Sequence, residues 1–305
     1  MNVAVIGGSG FIGSHLVDKL LEHGHEVTVF DIMKPHRDDV RHLYIDITNL
    51  SSTCVALTGY YDAVYLLAAM ANVNDIFKNP NEAAQVNILG VANVLEAARR
   101  NSIKRVLLAS TVWLYEMTPV KIALETSPFD LSKVNHVYTA TKAAAELYCQ
   151  AYQKLYGQNF TILRYGIPYG PRGRGGTVIA NFVRAALEGK PLMIFGDGMQ
   201  YRNFLYVEDL AEGNVAALND AAINQIYNLE GIRPITIREV AETIQAVLPG
   251  SVVEYKDGRP GDFAGTSVSA EKAKKELGWE PRVDLTEGVR RYIEWYRRTS
   301  KRTSR

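Results

Sequence analysis

Cysteine is scarce in this chain. Only two of its 305 residues are cysteine, Cys54 and Cys149. They form neither a CxxC pair nor a metal-ligand spacing, which excludes a disulfide-framed domain and fits reduced thiols in a cytoplasmic protein. An excess of one charge is lacking too. With 34 basic and 33 acidic residues the formal net charge is +1, so no global field draws the molecule onto nucleic acid or an anionic membrane. Long hydrophobic runs are missing. The longest, Val64 to Ala71, falls far short of the roughly 20 residues that cross a bilayer. The six histidines are scattered without metal spacing, so no structural or catalytic metal is expected. Met1 leads straight into an apolar strand with no basic leader, and a cytoplasmic location is the expectation.

What is present is an ordinary globular composition, 47% hydrophobic and 22% charged. The first half alternates short apolar runs with longer helical patterns. Strands are predicted at Val3–Ile6, Val27–Phe30, Leu43–Ile45, Ala63–Leu67, Val106–Ala109 and Phe160–Leu163, and helices at Ile12–Glu22, Glu82–Arg100 and His136–Tyr156. Runs apolar on both faces are those of parallel strands covered by helices. The repeating order predicts an α/β fold with a doubly wound parallel sheet, helices on both faces and right-handed crossovers. After Gly166 glycine and proline accumulate and the elements shorten. We read residues 1–166 as a cofactor half. Residues 167–305 are read as mainly a smaller C-terminal lobe that binds substrate, with some segments packing back. The basic end from Arg297 to Arg305 reads as a solvated tail.

The first strand runs into Gly7-Gly-Ser-Gly10-Phe-Ile-Gly13 and then a helix. A glycine-rich turn between strand and helix suits a dinucleotide. Gly7 makes the tight turn, Gly10 lets backbone approach a pyrophosphate, and Gly13 permits close helix packing, with free N–H groups at the helix start facing the phosphates. Asp31 ends the second strand, where an acid suits the ribose hydroxyls of NAD and repels the extra phosphate of NADP. Lys34, His36 and Arg37 are basic neighbours that would tolerate that phosphate, and Asp31 capping a turn is the simpler alternative.

Tyr138 and Lys142 open the long third helix at i, i+4 spacing, on one face. A free phenol titrates near pH 10. A fixed ammonium and a positive nicotinamide would bring it toward neutrality, as removal of a proton from a sugar hydroxyl requires. Ser110 and Thr111 end the fifth predicted strand at the carboxyl edge, where a hydroxyl could share that proton. His136 is assigned a structural role, and Trp113 is placed in the core in preference to a sugar-facing position.

Together these residues resemble the extended short-chain dehydrogenase/reductase superfamily and, within it, the NAD-dependent epimerase/dehydratase group acting on nucleotide sugars. The resemblance spans nearly the whole chain. It rests on the glycine loop, Asp46-Ile47, Leu67-Ala-Ala69, Asn87, Ser110-Thr111, Tyr138/Lys142, Leu163-Arg-Tyr165 with Tyr169-Gly-Pro171, Gly196-Asp-Gly198, Arg202-Asn-Phe204, Tyr206-Val-Glu-Asp209, Arg259-Pro-Gly-Asp262 and Leu277-Gly-Trp279.

The resemblance implies an NAD site of Gly7, Gly10, Phe11, Ile12, Gly13, Asp31, Asp46, Ile47, Leu67, Ala68, Ala69, Asn87, Ser110, Tyr138, Lys142 and Tyr165. In it Asp46 and Ile47 border the adenine, and Ala68, Ala69 and Tyr165 line the nicotinamide end. It implies a nucleotide-diphosphate sugar substrate held by Thr111, Asn181, Arg202, Arg259 and Asp262, with the two arginines on the diphosphate. Relatives that dehydrate or decarboxylate carry an acid just after the threonine. Here the segment is Thr111-Val-Trp-Leu-Tyr115, with no carboxylate before Glu116.

One Tyr/Thr/Lys set acting on one hydroxyl is the equipment of a 4-epimerase of the UDP-glucose/UDP-galactose kind, working through a 4-keto sugar. An NDP-sugar dehydratase, reductase or dehydrogenase is the alternative within enzymes. A non-catalytic NAD(P) sensor or scaffold is the alternative outside them, and such proteins usually lose the Tyr/Lys pair. Ile76, Glu116 and Ile167 depart from the family pattern at positions that face substrate in relatives. A homodimer through the helices Glu82–Arg100 and Tyr138–Tyr156 is implied by resemblance, although packing on the sheet explains their apolar stripes equally well.

Overall fold

The computed structural model describes residues 1–173, 175–258 and 267–303. A seven-stranded parallel sheet forms its centre. Its strands are β1 (Asn2–Ile6), β2 (Glu26–Phe30), β3 (Arg41–Leu43), β4 (Ala63–Leu66), β5 (Arg105–Thr111), β6 (Asn159–Tyr165) and β7 (Gln225–Leu229). They lie in the order β7-β6-β5-β4-β1-β2-β3, each neighbouring pair parallel.

Alternation along each strand divides the core in two. Val3, Val5, Tyr65, Leu107 and Leu163 face one way and pack with Leu16 and Leu20 of helix α1 (Phe11–Glu22) and with Leu210 of the helix Val207–Ala216. Ala4, Ile6, Leu66, Leu108 and Ile162 face the other way. They meet Val94 and Ala98 of the helix Gly90–Arg100, and Ala145 and Cys149 of the helix Val137–Tyr156. The sheet is therefore covered on both faces. The alanine-rich helix Val137–Tyr156 ends at Gly157, whose φ of 69° closes it with a left-handed cap.

Four elements differ from the sequence reading. At the basic end, the helix Leu285–Thr303 continues through Thr303 in place of a tail. β3 lies at Arg41–Leu43, earlier than predicted, because a short edge strand tolerates Arg41 and His42. β7 comes from the second half of the chain and pairs with β6 from Gln225↔Thr161 to Leu229↔Tyr165. The helix predicted over Glu82–Arg100 is Pro80–Ala84, a π-helical turn Gln85–Leu89 and Gly90–Arg100.

The lobe has its own apolar cluster. Ile179 and Val183 of the helix Val178–Leu187, Val240 and Ile244 of Ile237–Val247, and Val289 and Ile293 of Leu285–Thr303 close on Ile194 and Phe204. Among the described residues no helix is long and apolar enough to cross a membrane.

Candidate active site

The strand order reverses between β1 and β4, and open α/β sheets bind ligands at the carboxyl ends beside such a point. The glycine loop leaves β1 there. Gly7 has φ 85°, and a Cβ on it would fall 2.5 Å from the Ala68 nitrogen. Leu67 and Ala68 both donate their N–H to the Ile6 carbonyl, at 2.8 and 3.1 Å, so the ends of β1 and β4 are locked together. A Cβ on Gly13 would fall 2.1 Å from the Gly7 oxygen, whereas at Gly10 it would meet that oxygen at 3.3 Å and nothing else within 4 Å. Gly7 and Gly13 are thus glycines for packing. Gly10, beginning the helix that Phe11 and Ile12 continue, leaves the open cradle that a pyrophosphate fits.

Asp31 is buried and accepts from the Ser9 N–H at 2.9 Å and the Met33 N–H at 3.0 Å. It therefore ties the glycine loop to the end of β2, and the remaining lone pairs of its two oxygens are what a ribose could use. Arg37 is held by Asp18 at 3.0 Å and Asp39 at 2.7 Å. Asp46 accepts from the Thr48 N–H at 2.9 Å in a tight turn. Ile47 is buried beside Gly90, where a Cβ would meet its side chain at 2.6 Å. Ala69 follows on the loop after β4.

Asn87 sits on the π-helical turn, which aims it inward. It accepts from the Met70 N–H at 2.8 Å and donates to the Met70 carbonyl at 2.9 Å and to the Thr141 hydroxyl at 3.1 Å. All these bonds are to protein, so Asn87 braces the loop after β4 against the helix that carries Tyr138 and Lys142.

The two candidate catalytic side chains meet the end of β5. Lys142 is buried and its Nζ donates to the Ala109 carbonyl at 2.9 Å. Burial lowers its pKa to about 8, opposed by Glu146. Tyr138 is half-buried and hydrogen-bonded to Thr111. Burial pushes its phenol up to about 12, and the Thr111 bond pulls the other way. The Thr111 Oγ1 accepts from the Trp113 N–H at 3.2 Å, which leaves its own proton to be donated toward the phenol oxygen. Desolvation alone would keep the phenol protonated. The threonine bond favours the phenolate.

Of the two hydroxyls that end β5, only that of Thr111 reaches Tyr138. The Ser110 hydroxyl points to the other face and donates to Glu146 Oε1 at 2.5 Å. Glu146 also receives Arg164 Nε at 3.0 Å and Nη2 at 2.7 Å, both side chains being buried. Arg164 Nη1 continues to the Tyr115 hydroxyl at 2.8 Å, which donates to Asn228 at 2.7 Å. This network fastens β5, β6, β7 and the catalytic helix to one another. Sequence reasoning missed Glu146, although its signal was present as the next i+4 position after Tyr138 and Lys142. Tyr165 lies in the core with its hydroxyl donating to Asn214 Oδ1 at 2.5 Å, which commits that hydroxyl to protein.

Trp113 is not a core residue. Its indole is 37% exposed and stands edge-on to the Tyr138 ring at 6.2 Å, with the His136 ring 5.8 Å away. His136 in turn lies 4.0 Å from Glu116. The reason is local: the chain turns into a 3-10 segment, Val112–Met117, directly after Thr111, and presents Trp113 at the rim. Ile76 is buried.

On the lobe, a cleft of about 820 Å³ brings together Asn181, Arg202, Arg184, Gln200, Phe204 and Ile167. Arg202 Nη1 donates to the Tyr201 carbonyl at 2.7 Å, and Asn181 Oδ1 accepts from Gly176 and Arg184, both at 3.3 Å. Arg259 and Asp262 lie outside the described residues.

Residues 3–229 match the NAD dependent epimerase/dehydratase family. The chain belongs to that family. It is 34% identical to a UDP-glucuronate 4-epimerase of Thermodesulfobacterium geofontis, over 95% of this chain and 94% of the relative. Its structure superposes with TM-score 0.89 on a UDP-glucose 4-epimerase of Thermotoga maritima solved with UDP-glucose, at 31% identity over 98% of this chain and 100% of the other. A UDP-glucuronic acid 4-epimerase of Bacillus cereus, solved with UDP-glucuronic acid and NAD, gives TM-score 0.86 at 27% identity over 98% and 100%. The fold is of the Rossmann type, the cofactor is NAD, and the chain is an enzyme of this nucleotide-sugar family.

Proposed function

We propose that this enzyme is a nucleotide-sugar 4-epimerase of the UDP-glucose/UDP-galactose type, acting through a transient 4-keto sugar. The observation that carries the reading is the Tyr138–Thr111–Lys142 set at the end of β5. Among the described residues no carboxylate is hydrogen-bonded to Tyr138 or Thr111, and Glu116 is turned to His136, so the set itself serves one hydroxyl.

In this reading residues 1–166 hold the cofactor, from the glycine loop with Asp31 at the ribose to Lys142 at the nicotinamide end. When bound, NAD supplies the hydride acceptor and donor. Tyr138 takes the C4 hydroxyl proton and later returns it. Thr111 donates toward the phenol oxygen, and Lys142 supplies the positive charge that favours the phenolate. Residues 167–305 hold the nucleotide diphosphate. The cleft of Asn181 and Arg202 supports that role, with Arg259 and Asp262 assigned by resemblance.

A cytoplasmic homodimer is part of the proposal. The exposed Leu147, Leu155 and Tyr156 on the helix Val137–Tyr156, and Leu89 on its neighbour, supply apolar surface for a second copy. The test is Tyr138→Phe. The variant should still bind NAD and lose at least about a hundredfold in kcat, the usual worth of a positioned acid/base. A variant that keeps most of its rate overturns the assignment.

A further inference from the structure

The rim beside Tyr138 carries side chains that the chemistry above does not use. Trp113 is large, 37% exposed and edge-on to the Tyr138 ring. In a 3-10 turn, side chains three apart eclipse, so Glu116 belongs to the same edge of the segment as Trp113. Glu116 is half-buried, and its Oε1 is a buried oxygen without a hydrogen-bond partner among the described residues. The cationic candidate at this rim is His136, and its Nε2 already faces Glu116 at 4.0 Å. Ile167, two residues past Tyr165, the register partner of Thr111, lines the lobe cleft and adds no donor.

Whatever sits on Tyr138 through the hydroxyl being oxidised must place the neighbouring carbons against this rim. A carboxylate there would lose its water against an indole and meet the negative charge of Glu116, while His136, the one basic side chain paired with Glu116 among the described residues, is already turned to it. An uncharged sugar loses little water and can lay its C–H face on the ring. Resting on the epimerase reading, we infer that Trp113 and Glu116 are specificity-determining residues that admit a nucleotide sugar uncharged beside C4 and reject uronic acids. That separates this chain from the two glucuronate epimerases named above.

The test is binding to the NAD-loaded enzyme by calorimetry and by tryptophan fluorescence, with UDP, UDP-glucose and UDP-glucuronate as probes. The chain has 3 tryptophans, and Trp113→Phe assigns the signal. UDP-glucose should quench the emission more than UDP does, and Trp113→Phe should lose that difference while still binding NAD. UDP-glucose should bind at least about tenfold tighter than UDP-glucuronate, as expected when a charged group is buried unpaired. Glu116→Gln and Trp113→Ala should bring the ratio to within about threefold. Equal wild-type affinities overturn the inference and leave the epimerase reading standing, as does a ratio unchanged in both variants. Failure of UDP and both sugars to bind overturns the epimerase reading and the inference with it.

Discussion

Adding one methyl group at either of two glycines in the same loop should produce opposite defects. At Gly13 an alanine Cβ would sit 2.1 Å from the Gly7 oxygen and 2.8 Å from Gly8 Cα. Ordinary contact starts at 3.4 Å, so the backbone must open by about 1.3 Å (3.4 − 2.1). Neither side can give easily. The Gly7 oxygen accepts from the Gly10 N–H at 3.2 Å, and Gly7 is itself pressed against Ala68. Overpacking by a methyl costs about 1–3 kcal/mol, and contact with backbone places Gly13→Ala at the upper end, ~3 kcal/mol. At Gly10 the same methyl meets one atom at 3.3 Å, and the φ of −75° suits alanine. Gly10→Ala should therefore change stability by less than about 1 kcal/mol. It should still weaken NAD binding at least about tenfold, because the methyl fills the space where backbone approaches the pyrophosphate. Urea unfolding of cofactor-free protein measures the first effect and calorimetric titration with NAD the second. The reasoning is refuted by a Gly13→Ala stability within about 0.5 kcal/mol of wild type, or by a Gly10→Ala variant that binds NAD normally.

Arg164→Met should cost about 3–5 kcal/mol, because it leaves the Glu146 charge buried and unpaired. Arg164→Met combined with Glu146→Leu should recover most of that loss in the same urea assay, and a single-variant cost under about 1 kcal/mol would contradict the pairing. Lys142 is lowered by burial from 10.5 to about 8. Between those values the unfolded chain binds more protons than the folded one, so folding gains stability as pH rises. In cofactor-free protein the stability of wild type relative to Lys142→Met should therefore climb from pH about 8 to 10.5. A difference flat across that window would show that Lys142 is not desolvated.

The parts of this molecule that were legible in the sequence are those where one local pattern has one physical solution. Runs such as Val3–Ile6 and Ala63–Leu66, apolar on both faces, can only be covered strands, and the glycine loop between strand and helix has a narrow set of uses. β7 was hidden because Gln225 and Asn228 break the apolar pattern. Asn228 is in the sheet for its side-chain bonds to the Tyr115 hydroxyl and the Ser269 carbonyl as much as for burial. The π-helical turn was hidden because it interrupts the periodicity of its helix only briefly, yet it is what turns Asn87 inward. Thr111 was assigned to the catalytic set and Ser110 to the cofactor, whereas strand alternation sends Thr111 to Tyr138 and commits the Ser110 hydroxyl to Glu146. Trp113 was misplaced because its apolarity argued for the core, whereas the turn after Thr111 puts it at the rim. What escapes a linear reading is which face a residue takes when its neighbours in space come from distant strands.

The central claim is reversible oxidation at one sugar carbon with the cofactor regenerated in place. It is tested most directly with UDP-glucose deuterated at C4, incubated with the enzyme as purified and no added NAD. The account predicts that UDP-galactose forms with deuterium still at C4, because the hydride leaves and returns within one site. Loss of the label to solvent, release of a ketosugar, or turnover only with stoichiometric NAD would contradict it.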